Sequence, residues 1–442
     1  MTALTRTARH QRTRAVFASW IGTTIEYYDF SCYGLGASLI FAKIFFPSAN
    51  PTTGTLLSLS SFGVAYVARP LGALVFGHFG DRMGRRRTLI FTLLLMGVST
   101  IAIGALPTYS QIGLAAPVLL VVARLLQGFA VGGEYGGAIL MTVEHSADNK
   151  RGLFGSLVNT GTTAGLVLAN LAFLLALRLP DEQLLSWGWR IPFLLSTLLV
   201  VIGLIARTVL EETPDFAEVK QRDAVREFPI VDVARNHLGT VSLVALGIIA
   251  SGSTFTLTTV FSLTYGKLGL GLGGSAMLDV LLPATVVVLV ALPLFGRLAD
   301  RVGVRALFLG GLVSLIVLPF VWFALLDTRQ YGLMLLGFAL LFVGYAANYA
   351  VVPAYFAQVF PSGVRFTGLS VGFTIGLIAS NAIAPAVATS LLEASGGWEA
   401  IAAYMASTAV ISLVAGIFLR IPTTGSERVA APRLVDDSVT DN

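Results

Sequence analysis

The chain has 442 residues, of which 55% are hydrophobic and only 12% are charged, against roughly 25% charged residues in a soluble domain. With a mean hydropathy of +0.80, this composition excludes an ordinary soluble protein and predicts an all-α polytopic membrane protein. Cys32 is the single cysteine, which excludes an internal disulfide and a secreted disulfide scaffold.

Stretches of about 20 apolar residues, the length that crosses the hydrocarbon layer as a helix, recur along the chain. We predict twelve such helices, at residues 16–41, 55–79, 88–107, 115–142, 153–177, 190–210, 240–265, 276–296, 305–326, 331–356, 366–391 and 398–420. The predicted organisation is a cytoplasmic tail (1–15), a six-helix bundle (16–210), a polar cytoplasmic linker (211–239), a second six-helix bundle (240–420) and a polar, disordered cytoplasmic tail (421–442).

The net charge of +5 raises the question of nucleic-acid binding, and the positions of the basic residues answer it. With the N-terminus inside, 22 of the 29 Lys and Arg residues fall in cytoplasmic segments and five fall in outer loops. This is the positive-inside pattern. We predict that both termini are cytoplasmic, that the chain lies in a bacterial plasma (inner) membrane, and that it binds no nucleic acid.

Ionisable residues within the spans indicate a polar interior. Arg69 and Arg124 are interpreted as the only basic residues there, and Glu26 and Asp29 are the acids that stand out. At 1.5 Å per residue, Asp29 lies roughly 20 Å from the inner surface and Arg124 roughly 14 Å from the outer surface. A charge at this depth costs about 2.5–3.5 kcal/mol on insertion scales and usually faces a cavity or a partner.

Glu26 and Asp29 are three residues apart and share one helix face. Two carboxylates this close do not readily ionise together unless a cation intervenes. We predict Asp29 and Glu26 as proton-coupling residues, and Arg124 and Arg69 as residues that hold an anion. The alternative is a fixed ion-pair network that only locks helices together.

Other polar residues give weaker signals. Gln127 shares the helix face of Arg124. Buried amides and hydroxyls also join helices in membranes, and with that alternative the further candidates for substrate contact are Tyr28, Asn159, Tyr345 and Asn348. Glu134, toward the cytoplasmic end of its span, is interpreted as part of a structural or gating pair, with a proton site as the alternative.

A basic motif occurs twice, 219 positions apart, which is about half the chain. The corresponding pairs are Gly77 and Gly296, Asp81 and Asp300, Arg82 and Arg301, Gly84 and Gly303, and Arg86 and Arg305. The sequence therefore predicts two related halves, each with one such loop on the cytoplasmic side.

These residues carry a family resemblance that covers roughly 16–420. The first copy of the motif resembles the signature loop between helices two and three of the major facilitator superfamily, and Arg124-x-x-Gln127-Gly128 resembles its helix-four motif. More narrowly, the chain is similar to the metabolite:proton symporters, the branch with shikimate, 2-oxoglutarate, citrate and proline/betaine transporters, and most to the shikimate-type members. The segments that carry this are Ile25–Phe30, Ala68–Gly72, Arg124–Glu134 and Phe360–Arg365.

The resemblance implies two pseudo-symmetric six-helix bundles around a central cavity, one rocking against the other. A proton would neutralise Asp29, or the Glu26/Asp29 pair, and so free Arg124 for a substrate carboxylate. We expect the two loop aspartates to dock on positively polarised helix N-termini as latches of the outward-open state. The residues assigned to gating are Asp81, Arg82, Arg85, Arg86, Glu134, Glu144, Arg151, Asp300, Arg301 and Arg365.

The predicted function is proton-coupled import of a small organic acid or zwitterion, shikimate-like or another carboxylate. The expected partners are this substrate, protons and membrane lipid; no cofactor or metal is expected, and the functional unit is a monomer. An antiporter or a uniporter is the alternative within transport. A membrane sensor or a membrane-embedded enzyme is more remote, because no output domain and no histidine pair with metal-site spacing is present.

Overall fold

The computed structural model describes residues 2–47, 51–221, 228–272 and 274–421, and within them the secondary structure is helical without strands. The first half contains α1 (Thr2–Leu39), α2 (Pro51–Met83), α3 (Arg85–Ala105), α4 (Ala115–Glu144), α5 (Arg151–Ala176) and α6 (Arg190–Thr208). Apart from Ile421, the predicted C-terminal tail lies outside the described residues.

The second half contains six further long helices. Three of them are interrupted, α7 and α11 by a π-helical turn and α10 by a break after Tyr349. Their bounds are α7 (Leu238–Thr256, Leu257–Phe261 and Ser262–Leu268), α8 (Gly274–Val302), α9 (Val304–Asp327), α10 (Tyr331–Tyr349 and Val352–Ala357), α11 (Arg365–Leu377, Ile378–Ala382 and Ala384–Ser395) and α12 (Glu399–Phe418).

Short helices occupy the connections between these long ones. The linker after α6 is partly helical rather than irregular, with helices at Pro214–Gln221 and Pro229–Asn236; the other short helices are Phe41–Ile44, Tyr109–Ile112, Asp148–Lys150, Asp181–Gln183 and Leu184–Gly188.

Eleven helices in the described part of the chain are long and apolar enough to cross a membrane. The exception is α1, whose apolar run is interrupted by Glu26 and Asp29. It is nevertheless enclosed by α5, α6, α4 and α2, and both acids are buried. The predicted fold of twelve membrane helices in two bundles is confirmed.

Each half packs mainly on itself. In the first half α1 packs against α5, α2 against α4, and α3 against α4 and α6; in the second, α9 packs against α10 and α12, and α7 against α11 and α12. The halves meet where α5 crosses α8 and where α2 crosses α11. This leaves the inner faces of the two bundles around a shared centre.

The duplicated motif makes the same turn twice. Gly84 separates α2 from α3 with φ 109°, and Gly303 separates α8 from α9 with φ 96°, a conformation that favours glycine. The arginine two residues after each glycine then caps a helix of its own half. Arg86 donates to the Thr208 carbonyl at the end of α6, and Arg305 donates to the Ile417 carbonyl near the end of α12.

The position of one arginine was predicted wrongly from the sequence. Arg207 is buried near the end of α6 and pairs with Glu134 of α4, so the interpretation of Arg69 and Arg124 as the only basic residues within the spans is wrong. Thr92 also donates to Glu134, at 2.8 Å. Glu134 therefore holds α3, α4 and α6 together within the first half.

We expect Glu134→Gln to lower the free energy of unfolding by about 3–5 kcal/mol, because it leaves the buried Arg207 charge uncompensated. Unfolding in detergent measures this, with the exposed Glu182→Gln as the matched control. The double variant Glu134→Leu/Arg207→Met should recover most of the loss. Equal stabilities of Glu134→Gln and the control would contradict this role.

Candidate functional site

A closed polar cavity lies at the centre of the first half. It is lined by both predicted acids and both predicted arginines, together with their neighbours: Glu26, Asp29, Phe30, Ala65, Arg69, Arg124, Gln127, Gly128 and Val131. The volume of the cavity is about 10 Å³, which is about the room that one water molecule needs. The helices α1, α2 and α4 thus bring the predicted charges to one small enclosure.

Arg124 lies in an aromatic box. Its guanidinium carbon is 4.2 Å from the ring centre of Tyr33, 5.1 Å from that of Phe62 and 5.6 Å from that of Phe30. Cation–π attraction partly replaces lost hydration. Arg124 also donates to the Gln127 side-chain oxygen at 2.5 Å. Among the residues that the structure describes, no carboxylate lies within ion-pair distance of this charge.

Asp29 reaches Arg124 through two neutral side chains. The Thr100 hydroxyl donates to the carboxylate of Asp29 at 2.6 Å, and the Gln127 amide donates to the Thr100 oxygen at 2.7 Å. Within the described part of the chain, no ion pair within 4 Å joins Asp29 to Arg124 directly. Thr100, for which the sequence predicted no role, thus joins Asp29 to Arg124 through Gln127.

Glu26 and Arg69 lie on the other side of the cavity. The Arg69 guanidinium carbon lies 4.7 Å from the Tyr66 ring centre and 5.4 Å from that of Phe30. One carboxylate oxygen of Glu26 and one of Asp29 are buried without a hydrogen-bond partner among the described residues. Buried oxygens normally find a donor, so each of these two oxygens can accept one more hydrogen bond.

A second small cavity continues from the first toward the other bundle. Glu26, Arg69 and Val131 line both cavities. The second cavity has a volume of about 20 Å³. Its other lining residues are Gly132, Tyr135, Gly136, Ser370, Phe373, Thr374 and Leu377. The wall formed by α11 was not predicted, because hydroxyl and phenylalanine side chains in an apolar helix give no charge signal. Both halves therefore contribute to one site.

Several predicted contact residues have other partners. Tyr28 donates to the Pro192 carbonyl at 2.7 Å, and Asn348 donates to the Phe308 carbonyl at 3.1 Å. Tyr345 stacks on Phe255. None of the three lines the cavities at the centre, and their contacts correspond to the alternative of joining helices.

Asn159 sits between the halves. It accepts a hydrogen bond from Tyr135 at 2.9 Å and donates to the Tyr349 carbonyl at 2.8 Å. Tyr135 lines the second cavity and stacks on Phe373, with ring centres 4.0 Å apart. Asn159 therefore contacts the wall of the site rather than its interior.

The duplicated aspartates each dock on the first turn of a helix in the opposite half. Asp81 accepts from the Phe366 and Thr367 N–H groups of α11 at 3.1 and 2.8 Å, and Asp300 accepts from the N–H groups of residues 152 and 153 of α5 at 2.7 and 3.0 Å. These N–H groups have no partner within their own helix, and the helix dipole favours the charge.

A network of charges surrounds the first of these contacts. Arg85 lies 3.4 Å from Asp81 and 3.5 Å from Glu144, while Arg365 of the other half lies 3.0 Å from Glu144 and 2.6 Å from Asp215 in the linker. Arg85 and Glu144 are buried. The carboxylates of α4 and of the linker thus hold the start of α11 against the first half.

The other residues assigned to gating take different positions. Arg82 and Arg301 are exposed, Arg86 caps α6, and Arg151 begins α5 next to the N–H groups that receive Asp300. Glu212, which was not assigned a role, accepts from the Arg85 N–H at 2.9 Å and so caps α3.

Asp300→Asn should loosen the α5–α8 contact, since the neutral amide oxygen accepts less strongly than a carboxylate. We expect a cysteine at Ser156, a buried position of α5, to react severalfold faster with an impermeant thiol reagent in inside-out vesicles, in a Cys32→Ala background. Arg301→Gln is the matched control, because it changes an exposed neighbouring charge. An unchanged rate for Asp300→Asn would contradict a latch.

Two helical bundles, two adjoining small cavities of which the second lies between the bundles, and an ionic network at one end make a helical membrane protein with an enclosed polar site. A family model described as Major Facilitator Superfamily matches residues 19–376 and 280–436. The chain belongs to the major facilitator superfamily. It is thus a multi-pass membrane protein of a family of transporters rather than enzymes.

Curated relatives extend along nearly the whole chain. The chain is 38% identical to the inner membrane metabolite transport protein YhjE of Escherichia coli K12, over 92% of the chain and 93% of the relative. It is 35% identical to the shikimate transporter of the same strain, over 92% and 94%. It is 33% identical to the proline/betaine transporter of that strain, over 96% and 86%. These relatives confirm the predicted family resemblance.

Solved structures show the same fold. The proton:xylose symporter XylE, bound to 6-bromo-6-deoxy-D-glucose, superposes with a TM-score of 0.72 at 15% identity, covering 92% of this chain and 95% of that one. The transporter FucP superposes with a TM-score of 0.66 at 12% identity, covering 92% and 99%.

Proposed function

We propose that the protein is a proton-coupled symporter that imports a small organic acid or a zwitterionic metabolite carrying a carboxylate. The observation that carries this proposal is the cavity of the first half, where two acids and two arginines lie together and from which a second cavity continues to the other bundle. Shikimate, proline and betaine, the compounds named for two of the relatives, each bear a carboxylate, which supports the substrate class.

The arginines supply the anion site in this proposal. The planar guanidinium of Arg124 binds the carboxylate in a bidentate manner, and Gln127 and Arg69 border it. The rest of the substrate extends toward α11, where Ser370 and Thr374 offer hydroxyls. The side chains around the closed cavity must move apart to admit a metabolite, because the room present is that of about one water.

Protonation of Asp29, with Glu26 as the second acid, couples to binding through the hydrogen-bonded chain. While Asp29 is charged, its carboxylate accepts from the Thr100 hydroxyl, and the Thr100 oxygen in turn accepts from the Gln127 amide. This arrangement keeps the Gln127 oxygen on Arg124. Neutralisation of Asp29 removes the negative charge that lies at the end of this chain. Arg124 then favours an external carboxylate as its counter-ion.

The latches fit an alternating-access cycle. With Asp81 and Asp300 docked, the cytoplasmic ends of the halves are held together, and we infer that substrate and proton enter from the other side. The loaded carrier then rocks between the domains 16–210 and 240–420. We propose that both termini are cytoplasmic in a bacterial inner membrane, and that the protein works as a monomer without a cofactor.

The coupling has a defined driving force. A monoanion that crosses with one proton is electroneutral, and one pH unit is worth about 1.4 kcal/mol, or about tenfold accumulation. A zwitterion or a second proton would add about 2.3 kcal/mol for each charge per 100 mV. Uptake should therefore rise as the external pH falls.

Thermal stabilisation by a panel of carboxylic acids and their amides tests the substrate class. Carboxylates should stabilise the wild type, whereas the matching amides and the variant Arg124→Gln should show no such gain. An antiporter or a uniporter remains the alternative. An uncoupler distinguishes a symporter from a uniporter, because it abolishes accumulation by a symporter but leaves downhill uptake by a uniporter unchanged. The direction of the pH gradient distinguishes an antiporter, because one that imports substrate in exchange for protons requires the opposite gradient.

A further inference from the structure

An apolar groove opens on the lipid-facing surface between α1, at Arg14 and Phe17, and the last turns of α6. Its volume is about 350 Å³, and it is lined by Arg14, Phe17, Ile202, Ile205, Ala206 and Val209. Arg14 is the one polar residue among them. The groove faces outward, since Ile205 is 61% and Phe17 47% exposed.

The walls of the groove are fixed by packing behind them. Deeper in the membrane, α1 and α6 are in contact where Ile25 and Val200 share one core cluster. Toward the end of α6, Ala206 packs against a second cluster that includes Ala18 and Leu210. The small side chain of Ala206 leaves the space between the two helices open on the membrane side.

Positive charge is concentrated at one end of the groove. Arg14 is exposed at its rim. Arg86 donates to the Arg207 and Thr208 carbonyls at 3.3 and 2.5 Å, directly before Val209. The groove is apolar along its length and basic at its end.

We propose that this groove binds one anionic phospholipid of the cytoplasmic leaflet, with an acyl chain along α6 and the phosphate on Arg14. The apolar wall from Ile202 to Val209 is about 10 Å long at 1.5 Å per residue, which suits a segment of an acyl chain. Basic pockets between membrane helices on the cytoplasmic side suit anionic headgroups. The proposed orientation of the termini selects the leaflet; the groove and its charge do not depend on it.

The lipid would tie two functionally different helices together. The first, α1, carries Asp29, and the second, α6, carries Arg207, the partner of Glu134. A lipid between them stabilises the first half at the cytoplasmic end without touching the central cavity.

Native mass spectrometry and thermal unfolding in detergent test this site. Phosphatidylglycerol should bind and stabilise the wild type more than phosphatidylcholine with the same acyl chains. Arg14→Gln should weaken phosphatidylglycerol binding about fivefold, the value of one basic residue near a membrane surface, and leave phosphatidylcholine binding unchanged. Ala206→Trp fills the groove and should reduce binding of both lipids.

Arg420→Gln is the matched control, because Arg420 is an exposed arginine just after α12, in the other half. If Arg14→Gln loses no more phosphatidylglycerol affinity than Arg420→Gln, the headgroup site is wrong. If Ala206→Trp folds, as gel filtration shows, and binds both lipids normally, the groove is not the site. Equal stabilisation by glycerol phosphate alone would assign the site to a free anion and overturn the lipid proposal.

Discussion

Asp29→Asn is expected to abolish uphill, proton-driven uptake while sparing exchange between preloaded and external substrate. The amide keeps the size of the side chain and its contact with Thr100 but cannot bind and release a proton. Its neutral state imitates the protonated carrier, which reorients with substrate bound. Labelled-substrate uptake and counterflow in vesicles measure the two activities separately.

The exposed residue Asp181, in the connection between α5 and α6, provides the control for this prediction, and Asp181→Asn should leave both activities unchanged. Glu26→Gln shows whether the second acid is also required. Equal loss of uptake and exchange in Asp29→Asn would assign Asp29 to binding or folding, and retained uphill uptake would contradict its role in coupling.

Arg124→Gln is expected to weaken substrate binding by about 30-fold or more, since loss of a buried hydrogen-bonded charge partner costs 2–5 kcal/mol or more, with about 1.4 kcal/mol per factor of ten. Arg124→Lys should recover only part of the affinity, because an ammonium cannot form the bidentate contact and fits the aromatic box less well. The measurement is the Kd from thermal stabilisation together with the KM for uptake.

Arg178 is exposed just after α5, and Arg178→Gln is the control for charge removal. A KM that rises in Arg124→Gln while the Vmax of exchange persists would identify a binding contact. Unchanged affinity would show that the carboxylate does not bind at Arg124.

Most of the fold could be predicted from the composition and from the internal repeat. Apolar runs are sufficient to place membrane helices because each must span the same hydrocarbon thickness, and the duplicated motif indicated two halves before any contact was known. The sequence could not indicate that the linker contributes Glu212 as a cap and Asp215 as an ion-pair partner. Those roles depend on where the linker folds back.

The charged part of the site was also accessible from the sequence, because a buried charge is costly and therefore informative. Glu26, Asp29, Arg69, Arg124 and Gln127 line one cavity. The hydrogen bonds among them could not be predicted from the sequence, because they depend on how each helix is rotated about its axis.

The positions of uncharged residues and of residues near helix ends were the hardest to predict from the sequence. Ser370 and Thr374 were missed, because hydroxyls occur throughout membrane helices as packing groups. Asn348 and Tyr28 were selected, although the structure gives them partners between helices. Arg207 lies near a helix end, where a basic residue is ordinarily counted as a cytoplasmic charge. Its burial against Glu134 became evident only from the structure.

Uptake of a labelled carboxylate into right-side-out vesicles, with the pH gradient and the membrane voltage imposed separately, tests the central claim most directly. For a monoanion crossing with one proton, the account predicts accumulation of about tenfold for each pH unit, acid outside. A protonophore should collapse the accumulation, and the voltage should have no effect on it. Uptake that is indifferent to the pH gradient would contradict proton symport.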